Sequence, residues 1–387
     1  MKSLNVFLFR LYILFLAIFI WLSMDFWYST MNNDDPASSQ SSLLTYSIFI
    51  LVCYSFLILL LNYQFIRIRR IHLICTLWCL IMPVIMMLNH APLSFYFMTT
   101  LWPVLFETSY LFVRQNHHRM YLLKWLFILV SIWGVILFLQ APKHDEGQTN
   151  TIYFSLLTLP WILFSQKFKT QGLFLFFFSI LIILSLKRSA LLVLVICWLF
   201  YGLIILKKMH KKVMAIGLVC ILLLVGSVSY SIADNELGGV LSERVNREET
   251  DDGKNRLAIY EVTSIMILTS PIESLITGHG HYGVAKNSPL EISAHNDMLE
   301  VIYDYGLIIF FLYMCLLFFV IRRCVVLYGM ESDFLFPYLT SVIIFVIIST
   351  VGHLILYTSY FNFIVIFWGC VDGMVFSKKN NCCMERA

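Results

Sequence analysis

The sequence predicts an all-α fold, a polytopic transmembrane helical bundle. Sixty per cent of the 387 residues are hydrophobic and only 13% are charged, which is far from the composition of a soluble domain. Apolar runs of about 20 residues recur along the chain, and each is long enough to cross the roughly 30 Å hydrocarbon core as a helix. Lys and Arg also gather in alternate connections between these runs, as they do in membrane proteins.

About twelve runs are predicted to span the membrane, within a range of eleven to thirteen because two runs are short and three pairs are joined by tight turns. In chain order the predicted spans are 4–24, 43–65, 71–90, 95–113, 121–140, 152–165, 172–186, 189–206, 213–233, 302–321, 334–353 and 355–376. The first run begins like a signal peptide, but it is too long and lacks a small-residue cleavage site. It is therefore expected to remain as a span.

The positive charges predict the orientation. With a cytoplasmic N-terminus, most of the 27 basic residues fall in cytoplasmic connections, as the positive-inside rule requires. Both termini are therefore predicted to be cytoplasmic. The chain divides into an N-terminal bundle of about nine spans (1–233), a large outer loop (234–301), and C-terminal helices with a short cytoplasmic tail (302–387).

The outer loop is long enough to indicate a function or disorder. Its first part is polar and charged, whereas RLAIYEVTSIMILTS places Leu257, Tyr260, Ser264 and Ile267 on one helical face. This pattern predicts short amphipathic helices that lie against the membrane domain.

Metal and disulfide chemistry receive little support from the sequence. The ten cysteines lie in spans or at cytoplasmic ends, which excludes disulfides in the outer connections and gives no zinc-ligand spacing. His279 and His281 alternate in the turn GHGHYG, but a third ligand is missing from the pattern. We therefore predict no metal and no other cofactor.

Three basic residues that are predicted to lie on the outer side, against the positive-inside rule, are candidates for a functional site. Lys187 and Arg188 occupy a short outer turn between two apolar runs, and an ionisable residue at the membrane edge indicates a functional site. The alternative is a pair of side chains that reach the lipid headgroups. Arg256 opens the amphipathic segment, where a guanidinium can bind phosphate bidentately. Its alternative is an exposed arginine paired with a neighbour such as Asp252.

His295 lies in the polar stretch ISAHNDMLEVIYDYG, just ahead of an apolar run. Asp297 with Glu300 resembles a capping signal, which predicts a helix start near residue 298 and leaves His295 and Asn296 before it. A neutral histidine there can accept a proton from a sugar hydroxyl; the alternative is a structural histidine bonded to a loop carbonyl. Asn296, Glu300 and Asp304 are candidate supporting residues. The carboxylates of Glu300 and Asp304 are expected to pair with an outer arginine.

Three stretches, SLKRSALLVLV (185–195), GKNRLAIYEVTSIMILTSPIESLITGHG (253–280) and SAHNDMLEVIYDYGLIIF (293–310), together resemble the O-antigen polymerase and ligase superfamily of bacterial lipid-linked glycosyltransferases. The third stretch is the most specific. The resemblance covers the C-terminal half, whereas the N-terminal half matches only as a set of spans. The glycine segment 278–283 departs from the family's usual form because it carries two histidines.

The resemblance implies a site and a reaction. Arg188 and Arg256 would hold the diphosphate of an undecaprenyl-diphosphate-linked glycan, with Lys187 as a candidate supporting cation, and His295 would assist the acceptor hydroxyl. Arginines that stabilise the leaving diphosphate make a metal unnecessary. The implied partners are the lipid-linked glycan donor and acceptor and membrane lipids, with a chain-length regulator protein as a further candidate and no nucleic acid.

The implied location is the bacterial inner membrane, with a periplasmic active site. Polymerase is favoured over ligase, which uses the lipid A core as acceptor, because AHNDMLEVIYDYG looks more like the polymerases. A transporter of polysaccharide or lipid-linked sugar is an alternative of another class, but it would carry charged or broken helices at mid-bilayer in paired halves. A scaffolding protein would tolerate substitution at all three named residues.

Overall fold

The computed structural model describes residues 2–32, 38–62, 64, 70–140, 151–164, 166–185, 187–208, 252–290, 292–330, 332–355 and 358–384. Within these ranges the secondary structure consists of α-helices and turns, without a strand. The all-α prediction is confirmed.

In chain order the described helices are α1 (Lys2–Asn32), α2 (Ser38–Leu61), α3 (Arg70–Leu88), α4 (Leu93–Gln115), α5 (His118–Gln140), α6 (Ile152–Leu163), α7 (Phe168–Leu184), α8 (Arg188–Lys208), α9 (Asp252–Thr269), α10 (Ile272–Thr277), α11 (Gly283–Asn287), α12 (Asp297–Gly329), α13 (Leu335–Val351) and α14 (Thr358–Met384). Eleven of the twelve predicted spans coincide with α1 to α8 and α12 to α14. The ninth, 213–233, lies outside the described residues.

Several of these helices suit a bilayer by length and composition. Five stretches are long and apolar enough to cross a membrane: Leu4–Phe26, Ser42–Leu61, Arg70–Leu88, His118–Gln140 and Asp297–Gly329. Shorter apolar helices occur in α6, α7, α8, α13 and α14. The chain is therefore a multi-pass helical membrane protein.

Helix α4 forms the centre of the bundle, because every residue from Thr99 to Val113 is buried. Helix α14 packs closely along it through Gly369 and Gly373. A Cβ atom added at Gly369 would lie 2.4 Å from the carbonyl oxygen of Phe106, and one added at Gly373 would lie 2.7 Å from that of Tyr110. This is a small-xxx-small contact, which lets helix backbones approach closely where lipid supplies no hydrophobic drive for association.

The buried carboxylate of Glu107 in α4 has a partner inside the bundle. Nδ1 of His72 in α3 lies 2.7 Å from both carboxylate oxygens. An ionisable side chain within a membrane domain is costly unless it is paired. The contact with His72 therefore stabilises the carboxylate of Glu107 inside the bundle.

Two contacts join segments that are predicted to lie on the same side of the membrane. On the predicted outer side, the side-chain amide of Asn89, between α3 and α4, donates to the carbonyl of Thr277 at 3.1 Å. On the predicted cytoplasmic side, the buried ammonium of Lys124 donates to the carbonyl of Phe164 at 2.7 Å. The pairing of connections agrees with the alternation on which the span prediction depends.

Helix α12 breaks at Gly306, where φ is +78° and ψ is 175°. The break releases helix carbonyls that would otherwise accept hydrogen bonds from the following turn. The backbone N–H groups of His279 and Gly280 donate to the carbonyls of Tyr303 and Asp304, both at 2.9 Å. Residues 278–283, which we call the glycine turn, thus dock onto the broken helix.

The docking requires glycine on both sides. A Cβ atom added at Gly278, where φ is +79°, would lie 2.2 Å from the carbonyl oxygen of Asp304. One added at Gly306 would lie 2.2 Å from the carbonyl oxygen of Ile276. The two backbones therefore meet without intervening side chains, and this contact holds the glycine turn on α12.

Candidate functional site

His295 lies immediately before α12 and has a left-handed backbone conformation, with φ +51°. Asn296 caps the helix, because its side chain accepts hydrogen bonds from the N–H groups of Met298 and Leu299 at 2.9 and 3.3 Å. The predicted helix start is within one residue of the observed one. The prediction that Asp297 caps this helix is wrong.

Asp297 instead joins α12 to the end of α13. Its buried carboxylate accepts hydrogen bonds from the N–H groups of Leu354 and Ile355 at 3.0 to 3.1 Å. Residues 350–355 comprise the last two residues of α13 and the described part of its connection to α14, and we call them the α13–α14 turn. A buried carboxylate is stable only when hydrogen-bonded, so this contact fastens the turn to the helix start.

The α13–α14 turn also accepts hydrogen bonds from three other polar side chains. The side-chain amide of Asn296 donates to the carbonyl of Thr350 at 3.2 Å, and the hydroxyl of Tyr260 in α9 donates to the same carbonyl at 3.3 Å. The guanidinium of Arg256, one turn earlier in α9, reaches the carbonyl of Val351 at 3.5 Å. The turn therefore holds α9 and the His295 loop in a fixed relation.

His353, within this turn, packs against His295 with 4.7 Å between the ring centroids. Its Nδ1 lies 3.0 Å from a carboxylate oxygen of Glu300, and its Nε2 lies 3.0 Å from the hydroxyl of Ser293. All four side chains converge at the start of α12. The sequence did not identify the partner of His353.

The two candidate carboxylates have partners other than an arginine in the described part of the chain. Glu300 is buried against His353. Asp304 is also buried, and it accepts a hydrogen bond from the N–H of Val284 at 2.9 Å. The expected arginine pairing is therefore replaced by a histidine contact and by a contact that holds α11 on α12.

The electrostatic environment of His295 brings two of the predicted cations to this site. Burial is the main cause that lowers the pKa of His295 to about 4, and the charges of His353, Arg256 and Lys187 lower this pKa further. The charges of Lys187 and Arg256 thus contribute to keeping the imidazole neutral. His295 is neutral at neutral pH, and the exposed Arg256 is accessible to a ligand.

Arg188 begins α8, but its side chain lies outside the described part of the structure. Its neighbours on both sides approach the site. Lys187 acts on His295, and the hydroxyl of Ser189 is hydrogen-bonded to Tyr153, which also interacts electrostatically with Arg256. The backbone of Arg188 is thus at the edge of the same cluster.

The buried face of α9 includes Ile267, as predicted, but its most buried residues are not the predicted ones. Leu257 is 71% exposed, whereas Ile259 is 7% exposed and Thr263 is buried. The face that packs on α12 is therefore rotated from the Leu257 stripe. Tyr260 was assigned only to packing, yet its hydroxyl contacts the α13–α14 turn.

The two histidines of the glycine turn serve as packing and hydrogen-bonding groups. The ring of His279 stacks on that of Tyr303 with 4.0 Å between centroids. His281 is buried and hydrogen-bonded to the hydroxyl of Tyr305, and burial lowers its pKa to about 4. Among the described residues, we find no group of three or more His, Cys, Asp or Glu side chains that could hold a metal ion.

The fold and the site define a multi-pass helical membrane protein with a neutral histidine and cations clustered at one end of the bundle. The model of a family described as O-antigen ligase matches residues 173–314. This match confirms, for that part of the chain, the resemblance to the O-antigen polymerase and ligase superfamily. The matched range contains Lys187, Arg188, Arg256 and His295 but ends before the α13–α14 turn. Among curated proteins, no match to the chain was found.

Proposed function

We propose that this protein is an O-antigen polymerase of lipopolysaccharide biosynthesis. It would join undecaprenyl-diphosphate-linked oligosaccharide repeat units into polysaccharide at the periplasmic face of the inner membrane. The observation that carries the proposal is that the α13–α14 turn contacts both His295, through the ring of His353 at 4.7 Å, and Arg256, whose guanidinium reaches the carbonyl of Val351 at 3.5 Å. The family match over Arg256 and His295 supports transfer from a lipid-linked donor.

The cations suit the leaving group of this reaction. A departing diphosphate develops negative charge, and preorganised positive groups stabilise that charge in the transition state. Arg256 contacts the carbonyl of Val351, but a guanidinium has five N–H donors in a fork that matches phosphate oxygens. Arg256 would therefore bind the diphosphate together with Arg188, with Lys187 as an additional point charge.

His295 suits the attacking side. The acceptor hydroxyl forms a bond to the anomeric carbon and gives its proton to the imidazole. The bond between that carbon and the diphosphate oxygen breaks, and its electron pair leaves with undecaprenyl diphosphate. His295 can accept the proton because its surroundings keep the ring neutral.

Donor binding would strengthen this base. Lys187 and Arg256 lower the pKa of His295 in the free protein. The negative charges of a bound diphosphate would offset these two cations and raise the pKa towards its ordinary value of about 6.5. The imidazole would thus be a better proton acceptor when the donor is in place.

An O-antigen ligase is the second candidate, because the matched family carries that description. The donor chemistry would be the same, with the lipid A core as acceptor. Polymerase is preferred for the similarity of AHNDMLEVIYDYG to polymerases. A transporter of polysaccharide or lipid-linked sugar remains the alternative of another class, and it would form no new glycosidic bond.

The test is extension of a defined undecaprenyl-diphosphate-linked repeat by the purified protein, followed by gel analysis. We expect a ladder of products from the wild-type protein and from His118→Gln, which changes an exposed histidine elsewhere. His295→Ala should abolish extension, and Arg188→Ala and Arg256→Ala should weaken donor binding. Extension by His295→Ala at the wild-type rate would contradict the assigned base. Product only after addition of lipid A core would identify a ligase.

A further inference from the structure

We propose that His353 is a positioning residue that holds the imidazole of His295 in its reactive orientation. This assignment rests on the proposed function, because it concerns the base of the transfer reaction. It extends the site to the α13–α14 turn, which lies beyond the range matched by the family.

The ring of His353 has a polar side chain near each of its nitrogens. Nδ1 lies 3.0 Å from a carboxylate oxygen of Glu300, and Nε2 is hydrogen-bonded to the hydroxyl of Ser293 at 3.0 Å. These two contacts restrict the ring of His353. It packs against the imidazole of His295, 4.7 Å away between centroids and inclined by 39°.

A single carboxylate connects the two histidines. Glu300 contacts the ring of His353 and also interacts with the backbone N–H groups of Ala294 and His295. His295 needs such support because a non-glycine residue with positive φ is uncommon and strained. Glu300 thus fixes the backbone of His295, and through His353 it fixes the side chain.

The charges around His295 determine how a change at His353 would be observed. Arg256 from α9 and Lys187 from the start of α8 oppose protonation of His295, and so does His353. Glu300 and Asp297, both on α12, face the cluster from the opposite side through His353 and the α13–α14 turn. Removal of His353 eliminates one repulsive neighbour, so the pKa of His295 should rise.

The experiment compares His353→Gln with wild-type protein and with His118→Gln in the lipid-linked extension assay. Misplacement of a catalytic group by about 1 Å can reduce the rate about 100-fold. We expect kcat for His353→Gln to fall by about tenfold or more, with the donor KM unchanged. We also expect the acidic limb of the rate profile to move to higher pH, whereas His118→Gln should match the wild type.

Wild-type kcat and pH profile for His353→Gln would overturn the assignment. A lower kcat with an unshifted acidic limb would also overturn it, because a merely structural residue gives that result. If His353→Gln does not fold, Ser293→Ala replaces it, and it should show a smaller loss of kcat with a shift in the same direction. Wild-type kcat and pH profile for Ser293→Ala would then overturn the assignment of His353. A wild-type protein without transfer activity would instead contradict the proposed function itself.

Discussion

Replacement of Gly306 with Ala tests whether the break in α12 depends on glycine. The observed φ of +78° and ψ of 175° lie in a region that is accessible essentially to glycine alone. The new Cβ would lie 2.2 Å from the carbonyl oxygen of Ile276 and 2.7 Å from the backbone nitrogen of Gly278. Both are backbone atoms, so no side-chain rotation can relieve the overlap.

The variant has two ways to respond, and each costs free energy of unfolding. Keeping the backbone conformation costs about 1–3 kcal/mol in strain, before the overlap is added. Undocking the glycine turn breaks the hydrogen bonds from His279 and Gly280, which contribute about 0.5–1.5 kcal/mol each. We therefore expect a loss of about 2 kcal/mol, the middle of both ranges, which lowers the folded-to-unfolded ratio about thirtyfold.

The assay is thermal unfolding in detergent, together with the extension reaction. The matched control is Gly329→Ala at the end of the same helix, where an added Cβ meets no heavy atom within 4 Å. This control should be neutral or stabilised by up to about 1 kcal/mol. Gly306→Ala should melt at a lower temperature and lose activity, because the loop that carries His295 is displaced. Melting at the control's temperature with full activity would refute the reasoning.

Three further outcomes are expected. Gly373→Ala should force α14 away from α4 and lower the melting temperature, whereas Gly202→Ala, where an added Cβ meets no heavy atom within 4 Å, should not; equal melting would contradict the close helix contact. Arg256→Lys should raise the donor KM because it keeps the charge but loses the bidentate fork, and an unchanged KM would argue against diphosphate binding there. In the free enzyme the neutral form of His295 is lost as the pH falls through about 4, so kcat/KM should decline only there. The negative charge of a bound donor offsets the charges of Lys187 and Arg256 and raises the pKa of His295. The acidic limb of kcat should therefore lie at higher pH than that of kcat/KM. Acidic limbs at the same pH would contradict this effect of the donor on His295.

The sequence predicts the helices well because each apolar run carries its own signal. It does less well where local signals compete. Asn296 and Asp297 can both cap a helix, and the sequence favoured the aspartate. The structure uses Asn296, because Asp297 is taken by the N–H groups of Leu354 and Ile355, more than 50 positions away. Such a long-range partner leaves no local pattern.

The candidate site also contains residues that local sequence signals identify and residues whose partners are distant in sequence. Lys187 and His295 attract notice because their chemistry is unusual for their position beside apolar runs. His353 falls at the end of the predicted span 334–353, and only packing brings its partners Ser293 and Glu300 to it. Leu257 was misassigned to the buried face of α9 because hydrophobic residues surround this helix, so the periodicity did not distinguish Leu257 from Ile259.

The α13–α14 turn gives this protein an order of assembly. The ribosome synthesises the chain from its N-terminus, so a nascent polypeptide contains Lys187, Arg256 and His295 before it contains Leu354 and Ile355. Until the final hairpin is inserted, the carboxylate of Asp297 lacks the donors that satisfy it in the finished fold. Completion of the start of α12 therefore waits until the last two helices are in place.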